Sequence, residues 1–162
     1  MIDRVAETVV IAPMRHEELD EVVALDALVS NPAWSRPMFE SELVVNQFAV
    51  FLVARPPAGR EAGGFCGYIG FWVVFDELHL LNVAVPPQWQ RRGIGSQLVQ
   101  AAFDRAAAGG AIRALLEVRA SNEAAQRLYA RFGFQVTARR MRYYINPTED
   151  ALMMGCQVGG TP

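Results

Sequence analysis

The chain has 162 residues, of which 52% are hydrophobic and 20% are charged, and its formal net charge is −2. This length and composition predict one globular domain, residues 1–162, rather than a disordered chain. The slight negative charge argues against a general nucleic-acid-binding protein, which would usually be basic, and no apolar run is long enough to cross a membrane.

The N-terminal residues, the cysteines and the histidines indicate the cellular compartment and whether a metal site is expected. The N-terminal residues carry charge before any apolar run, so we expect no secretory signal. Two cysteines, Cys66 and Cys156, lie far apart and fit a reduced, cytoplasmic protein in which both fill space on strands. The chain has two histidines and no metal-ligand spacing, and we expect no metal site.

Apolar periodicity and turn residues predict eleven elements. Asn31-Pro32 ends the first helix, Asp76-Glu77 forms a turn between two antiparallel strands, and Ser121 caps the last helix. The elements are strands at 8–14, 48–54, 65–75, 77–85, 112–118, 134–144 and 151–157, and helices at 16–29, 36–45, 93–108 and 122–132, with a loop at 55–64. Their order predicts an α/β fold with a mixed sheet of about seven strands covered by helices on both faces.

The most informative stretch is residues 83–96, which read V-A-V-P-P-Q-W-Q-R-R-G-I-G-S. A strand leads into a turn, and two glycines open a helix whose first N–H groups have no partner within it. The helix dipole and the arginines at 91 and 92 favour an anion there. The stretch therefore predicts a site for a phosphorylated cofactor, although a glycine-containing helix start with solvated arginines is the simpler alternative.

The spacing excludes two common nucleotide-binding motifs. No Lys-Ser or Lys-Thr follows the glycines, and only one G-x-G occurs. The pattern Q-x-x-G-x-G after a V-A-V strand instead resembles the pyrophosphate loop of GNAT acetyltransferases, which hold acetyl-CoA.

The resemblance extends through the second half of the chain. Residues 116–122 (L-E-V-R-A-S-N) and 128–134 (L-Y-A-R-F-G-F) are similar to those of GNAT domains, and more narrowly to the bacterial ribosomal-protein alanine N-acetyltransferases of the RimI type. Residues 33–35, 81–85, 142–144 and 149–154 support that subfamily. The chain departs from it in having Ala33 where a proline often precedes the tryptophan.

This resemblance implies two catalytic residues. Glu117 would accept the proton of the attacking amine through water, although an ion pair with Arg119 or Arg113 is the structural alternative. Tyr129 would donate a proton to the leaving thiolate, or it simply packs on the sheet. His79 is the second candidate base, and a packing role is the alternative for it.

The resemblance also implies binding residues. Asn122 shares a helix face with Tyr129 and would touch the cofactor, or it is only a cap. Trp34, Tyr143 and Tyr144 are the candidate substrate-binding residues. The structural alternatives are that Trp34 anchors a helix and that the two tyrosines alternate between core and surface on their strand. The cofactor would be held by the backbone of the strand end and the helix start, at Val83, Ala84, Val85, Arg91, Arg92, Gly93, Ile94, Gly95 and Ser96. The sequence leaves open which of the two arginines reaches the phosphates.

Together these features predict a cytoplasmic enzyme that uses acetyl-CoA as co-substrate and no metal. The resemblance implies transfer of the acetyl group to the N-terminal amine of a protein partner, an alanine of a small-subunit ribosomal protein, with no nucleic acid or membrane involved. Two alternatives remain at this stage. One is a GNAT enzyme acting on a small amine, amino acid or antibiotic, and the other is a non-catalytic acyl-CoA-binding module.

Overall fold

The computed structural model describes residues 6–57 and 65–159. Part of the predicted loop at 55–64 therefore lies outside the described residues. The strands are β1 (Val10–Pro13), β2 (Ala49–Arg55), β3 (Gly67–Val74), β4 (Glu77–Ala84), β5 (Arg113–Arg119), β6 (Gln135–Tyr144) and β7 (Glu149–Gln157). The helices are α1 (Leu19–Val29), α2 (Arg36–Val44), α3 (Ile94–Ala108) and α4 (Glu123–Ala130), and short 3-10 turns precede α1 and α3.

Within the described residues the seven strands form one mixed sheet in the order β1-β2-β3-β4-β5-β7-β6. Strand β4 runs parallel to β5, with Glu77 opposite Arg113. Strand β7 lies between β5 and β6 and is antiparallel to both. The predicted mixed α/β sheet of about seven strands is confirmed.

Several predicted boundaries differ from the observed ones by one to three residues, and two of these differences have a clear cause. The turn between β3 and β4 is Phe75-Asp76, with Phe75 at a φ of 53°, because Glu77 already pairs with Arg113 in the sheet. The first helix begins at Leu19 rather than at residue 16. Buried Glu18 accepts the N–H of Arg15 at 2.8 Å, and this cap holds the preceding residues in a 3-10 turn.

Two compact units are distinguished by their contacts, Met1–Phe71 with Asn82–Ala102, and Trp72–Leu81 with Phe103–Pro162. In the first unit the helices α1 and α2 contribute to an apolar cluster with residues of β2 and β3. Apolar residues three apart on α1 form one buried face, because a helix brings such positions to the same side. The cluster comprises Leu19, Val22, Leu25, Phe39, Phe51, Val53, Phe65, Tyr68 and Ala84.

The second unit contains β5, β6, β7 and α4. Phe103 lies 5.9 Å from Phe134, and Tyr129 of α4 lies 5.7 Å from the same ring, both edge-on. Strand β5 alternates, with Ala114, Leu116 and Val118 buried and the residues between them partly exposed. This alternation leaves the side chain of Glu117 on the more open side of β5. No helix among the described residues is long and apolar enough to span a membrane.

Candidate active site

The predicted cofactor segment joins β4 to α3 within the first unit. Strand β4 ends at Ala84, and Gln90 bridges back by donating from Nε2 to the carbonyl of Val85 at 3.0 Å. The turn then passes through two left-handed residues, Arg91 at a φ of 61° and Gly93 at 77°. Only a glycine suits position 93, since a Cβ there would also lie 2.9 Å from the Cβ of Ala6.

The start of α3 has the donor set that an anionic group requires. The first helical hydrogen bond runs from the N–H of Gln97 to the carbonyl of Gly93 at 3.2 Å, so the N–H groups of residues 94–96 have no acceptor within the helix. The first turn of α3 contains no acidic residue. These residues therefore fit a pyrophosphate, as the sequence predicts, with the helix dipole adding to the attraction.

The N-terminal segment braces this turn, which sequence analysis missed. The N–H of Glu7 donates to the carbonyl of Arg92 at 3.0 Å, and Gln97 Nε2 donates to the carbonyl of Glu7 at 2.7 Å. The carboxylate of Glu7 pairs with the guanidinium of Arg92 at 2.9 Å. No local pattern signals these contacts, because they join residues 85 to 90 positions apart.

The two adjacent arginines have different surroundings. Arg92 is held by Glu7 and lies 4.9 Å from the centre of the Trp89 ring. Arg91 is exposed, and among the described residues its guanidinium makes no ion pair. The structure thus shows a difference in ion pairing between Arg91 and Arg92 that the sequence alone does not show.

Two residues of β6, Arg140 and Tyr143, lie near the carboxylate of Glu117 in the second unit. The Glu117 side chain is 31% exposed, and Oε1 lies 4.0 Å from Nη1 of Arg140. A hydrogen bond to Glu117 is the main cause that raises the pKa of the Tyr143 hydroxyl, followed by burial. Arg113, one of the partners considered from the sequence, instead pairs with Glu77 at 2.9 Å.

The three candidate tyrosines form a group with Glu117. The rings of Tyr143 and Tyr144 meet edge-on at 5.1 Å, with Tyr143 exposed and Tyr144 half-buried. The guanidinium of Arg119 lies 4.4 Å from the centre of the Tyr144 ring. Burial, and then the charge of Glu117, raise the pKa of Tyr144. Burial, and to a smaller extent Tyr144, raise the pKa of Tyr129 to about 12.

Strand β6 is irregular next to Tyr143. The pairing with β7 shifts between Arg140 and Tyr144, and Arg142 takes a φ of 53°. Asp150 holds this bend, because it accepts the N–H of Arg142 at 2.8 Å and the guanidinium of Arg139 at 2.6 Å. Such bulges re-aim side chains next to functional sites.

Asn122 is the N-cap of α4, so the predicted cap at Ser121 is wrong. Oδ1 of Asn122 accepts the N–H of Ala125 at 3.2 Å. Ser121 donates from Oγ to Glu149 at 2.7 Å instead. The helix also ends at Ala130, two residues earlier than predicted, because the N–H groups of Phe132 and Phe134 turn back onto the carbonyl of Tyr129.

His79 and Trp34 both have partners in the structure. Nε2 of His79 lies 2.7 Å from a carboxylate oxygen of Glu77, with Trp72 6.2 Å away. Trp34 is half-buried, and its ring lies 5.4 Å from Phe39. These contacts agree with the packing alternatives, and the functional assignments of both residues stay predictions.

Neither cysteine nor a metal cluster adds another candidate site. Both cysteines are free, and burial raises the pKa of each thiol to about 11, which disfavours a reactive thiolate. Among the described residues no three metal-ligating side chains come together.

The tyrosine environments predict an unusual alkaline titration. All four tyrosines have a raised pKa, so at pH 10 fewer than half should be ionised in the folded protein, against about half in denaturant. The folded state holds the tyrosine protons more tightly than the unfolded state does, so their contribution to the free energy of unfolding is complete below about pH 10. The contribution of Tyr129 is lost as the pH rises through about 12. Ultraviolet absorbance of phenolate measures the ionisation. Half-ionisation of the native protein at pH 10 would contradict these environments.

Comparison with known proteins places the chain in a family. The model of the acetyltransferase (GNAT) family matches residues 16–134. The chain is 36% identical over 141 residues to a Bacillus subtilis protein named "Putative ribosomal protein bS18-alanine N-acetyltransferase", which covers 87% of this chain and 90% of that protein. It is 43% identical over 90 residues to the ribosomal protein bS18-alanine N-acetyltransferase of Salmonella typhimurium, which covers 53% of this chain and 60% of that enzyme.

The solved structures agree. The crystal structure of the ribosomal-protein-S18-alanine N-acetyltransferase from Escherichia coli superimposes with a TM-score of 0.82 and 27% identity, over 96% of this chain and 97% of that one. The resemblance inferred from the sequence motifs is confirmed. The chain belongs to the acetyltransferase (GNAT) family and is an acetyl-CoA-dependent N-acetyltransferase.

Proposed function

We propose that this enzyme acetylates the N-terminal α-amine of a protein, and that its target is the N-terminal alanine of a small-subunit ribosomal protein. The target rests on similarity to proteins that are named for the alanine of ribosomal protein bS18. The observation that carries the chemistry is Glu117, a partly exposed carboxylate that no close ion pair neutralises within the described residues other than Arg140 at 4.0 Å.

A single carboxylate base is better suited to deprotonating an N-terminal α-amine than to deprotonating a lysine side chain of the substrate. At about pH 7.5 an α-amine with a pKa near 8 loses its proton for ~0.5–1 kcal/mol. A lysine with a pKa near 10.4 needs about 4 kcal/mol. A base such as Glu117, which relays the proton through water, is adequate for the first task, and this supports an N-terminal substrate.

The proposed mechanism divides the proton transfers between two residues. Bound acetyl-CoA supplies the acetyl group as a thioester, whose C–S bond breaks as the amine nitrogen forms the new C–N bond. Glu117 takes up the proton that the ammonium group must lose before attack. Tyr129 gives its hydroxyl proton to the departing thiolate.

The pKa of Tyr129 constrains the second transfer. At about 12 it keeps the hydroxyl protonated at neutral pH. An ordinary thiol has a pKa near 8.5, so donation alone is uphill by about 5 kcal/mol. We therefore propose that the attacking nitrogen, once it has formed the C–N bond, gives its second proton to Tyr129 and so restores the hydroxyl. The products are then the amide, the free thiol and a protonated Glu117.

For the cofactor we assign the backbone of Val83, Ala84 and Val85 to the pantetheine amides and the N–H groups of residues 91–96 to the pyrophosphate. Of the two arginines we assign Arg91, because Glu7 and Trp89 already hold Arg92. Asn122 would contact the pantetheine arm while its Oδ1 caps α4.

This assignment predicts different effects of the two arginines on cofactor binding. Arg91→Ala should weaken acetyl-CoA binding about tenfold, or ~1.4 kcal/mol, the size of a lost charge-assisted hydrogen bond. Arg92→Ala is the matched control and should change Kd less, because its side chain binds protein groups. Isothermal titration calorimetry gives both constants. A larger loss in Arg92→Ala would reverse the assignment.

The substrate is tested with a panel of peptides. The protein is incubated with acetyl-CoA and peptides that differ only in their N-terminal residue, together with a peptide whose α-amine is blocked and whose lysine is free. Mass spectrometry should find acetylation of the Ala-terminal peptide and none of the blocked one. Acetylation confined to lysine or to small amines would refute the proposed substrate.

The same assay tests the base. Glu117→Gln should lower kcat by roughly 10²–10⁴ at neutral pH, because the amide cannot accept the proton, and should leave the acetyl-CoA Kd nearly unchanged. His79→Ala is the comparison and should retain most activity, since His79 is bound to Glu77. If His79→Ala lost more activity than Glu117→Gln, the base would be His79 of β4 instead of Glu117.

Tyr129→Phe tests the proposed proton donor without leaving a cavity in the core, because the ring that packs on Phe134 remains. If the hydroxyl acts on the leaving thiolate, kcat should fall while the KM of the peptide and the Kd of acetyl-CoA barely change. An acetyl donor with a more acidic thiol should rescue the variant more than the parent. Parental turnover with no dependence on the leaving group would leave Tyr129 a packing residue.

A further inference from the structure

Asp26 is a buried carboxylate that the proposed mechanism does not use. It lies on α1 in the first unit, and its exposed fraction is 0%. Oδ1 accepts the hydroxyls of Ser30 and Tyr68, each at 2.6 Å, and Oδ2 accepts the backbone N–H of Trp34 at 2.7 Å. Three donors thus satisfy a charged group whose burial would otherwise be costly.

The network has two branches. One reaches the segment between α1 and α2, at Ser30 and Trp34. The other runs through Tyr68 of β3, whose hydroxyl accepts from Nδ2 of Asn82 at 3.1 Å. Burial, then the Asp26 charge and hydrogen bond, raise the pKa of Tyr68 and keep its hydroxyl a donor.

Trp34 is held from two sides. Its ring lies 5.4 Å from Phe39 and 6.4 Å from Phe51, so the aromatic core fixes the side chain. Its backbone N–H is fixed by Asp26, and the next residue, Ser35, begins the cap of α2 by accepting the N–H of Met38. One carboxylate therefore sets where the backbone of residues 30–35 runs before α2 begins.

We propose that Asp26 is a positioning residue for the acetyl-accepting substrate, which it serves by fixing the Trp34 backbone. The inference rests on the proposed function and on the predicted role of Trp34 as a substrate-binding residue that contacts the acceptor. Asp26 does not touch the acceptor and acts only through Trp34. Loss of this bond lets the segment occupy several positions, and the acceptor must then select one of them, which raises KM.

The test uses Asp26→Asn, which keeps the size of the side chain but removes its charge and leaves one acceptor oxygen, so that the Trp34 N–H must compete for it with the hydroxyls of Ser30 and Tyr68. The KM of an Ala-terminal peptide should rise about tenfold. The kcat at saturation and the Kd of acetyl-CoA should change less than about twofold, because Glu117, Tyr129 and the α3 turn are untouched.

Two control variants separate positioning from stability. Tyr68→Phe removes the branch to Asn82 but keeps the bond between Trp34 and Asp26, so KM should change less than about threefold. Leu25→Ala destabilises the same helix through a cavity and should leave KM unchanged well below its melting temperature. Each variant is measured at a temperature at which its thermal unfolding curve shows that it is folded. If Asp26 has a purely structural role, Asp26→Asn, Tyr68→Phe and Leu25→Ala should all have the same KM.

An unchanged KM in Asp26→Asn, or an equal rise in Tyr68→Phe or Leu25→Ala, would overturn the proposal. If Asp26→Asn does not fold, Asp26→Ser replaces it, and failure of both to fold would show that Asp26 serves the fold alone and refute the proposal. If the wild-type protein acetylates another class of amine, the proposed substrate fails, and the same ranking of KM values measured with that amine decides the role of Asp26.

Discussion

The approach of the Glu117 carboxylate to the Tyr143 hydroxyl, which raises the pKa of that hydroxyl, is the contact on which the orientation of the proposed base depends most. It requires that β5 alternate so that Glu117 lies opposite the buried Leu116 and Val118. It also requires the bend in β6 that Asp150 holds through the N–H of Arg142. A base needs neighbours that orient it without removing its capacity to accept a proton, and a neutral hydroxyl does this where a close arginine would not.

The proposed cofactor segment meets a different physical requirement, since in its proposed role it must present bare N–H groups to an anion. The turn before α3 does so with Gly93 in a left-handed conformation and with no acidic residue in the first helical turn. Glu7 supplies the rigidity, because it binds both the backbone and the guanidinium of Arg92. The pairing of Arg92 with Glu7 also lowers the positive charge that this residue can offer to a phosphate, and Arg91 keeps its charge exposed.

Local patterns predicted the type and order of the strands and helices, because apolar periodicity and Gly or Pro stops act within a few residues. The turn proposed to bind the cofactor and the candidate catalytic residues were likewise visible as short motifs. The contacts that orient them were not. Glu7 with Arg92, Asp26 with Tyr68, and Tyr143 with Glu117 each join distant parts of the chain. The sequence offered both Ser121 and Asn122 as caps, and a distant partner decides between them, since Glu149 accepts the Ser121 hydroxyl.

The most direct test of the central claim is the state of protein N-termini in cells. Ribosomal proteins are isolated from cells that lack this enzyme and from the same cells supplied with the wild-type protein or with Glu117→Gln, and their intact masses are compared. The account predicts that one small-subunit protein with an N-terminal alanine carries an acetyl group only when the wild-type enzyme is present. Acetylation that is complete without the enzyme, or that Glu117→Gln restores as well as the wild type does, would contradict it.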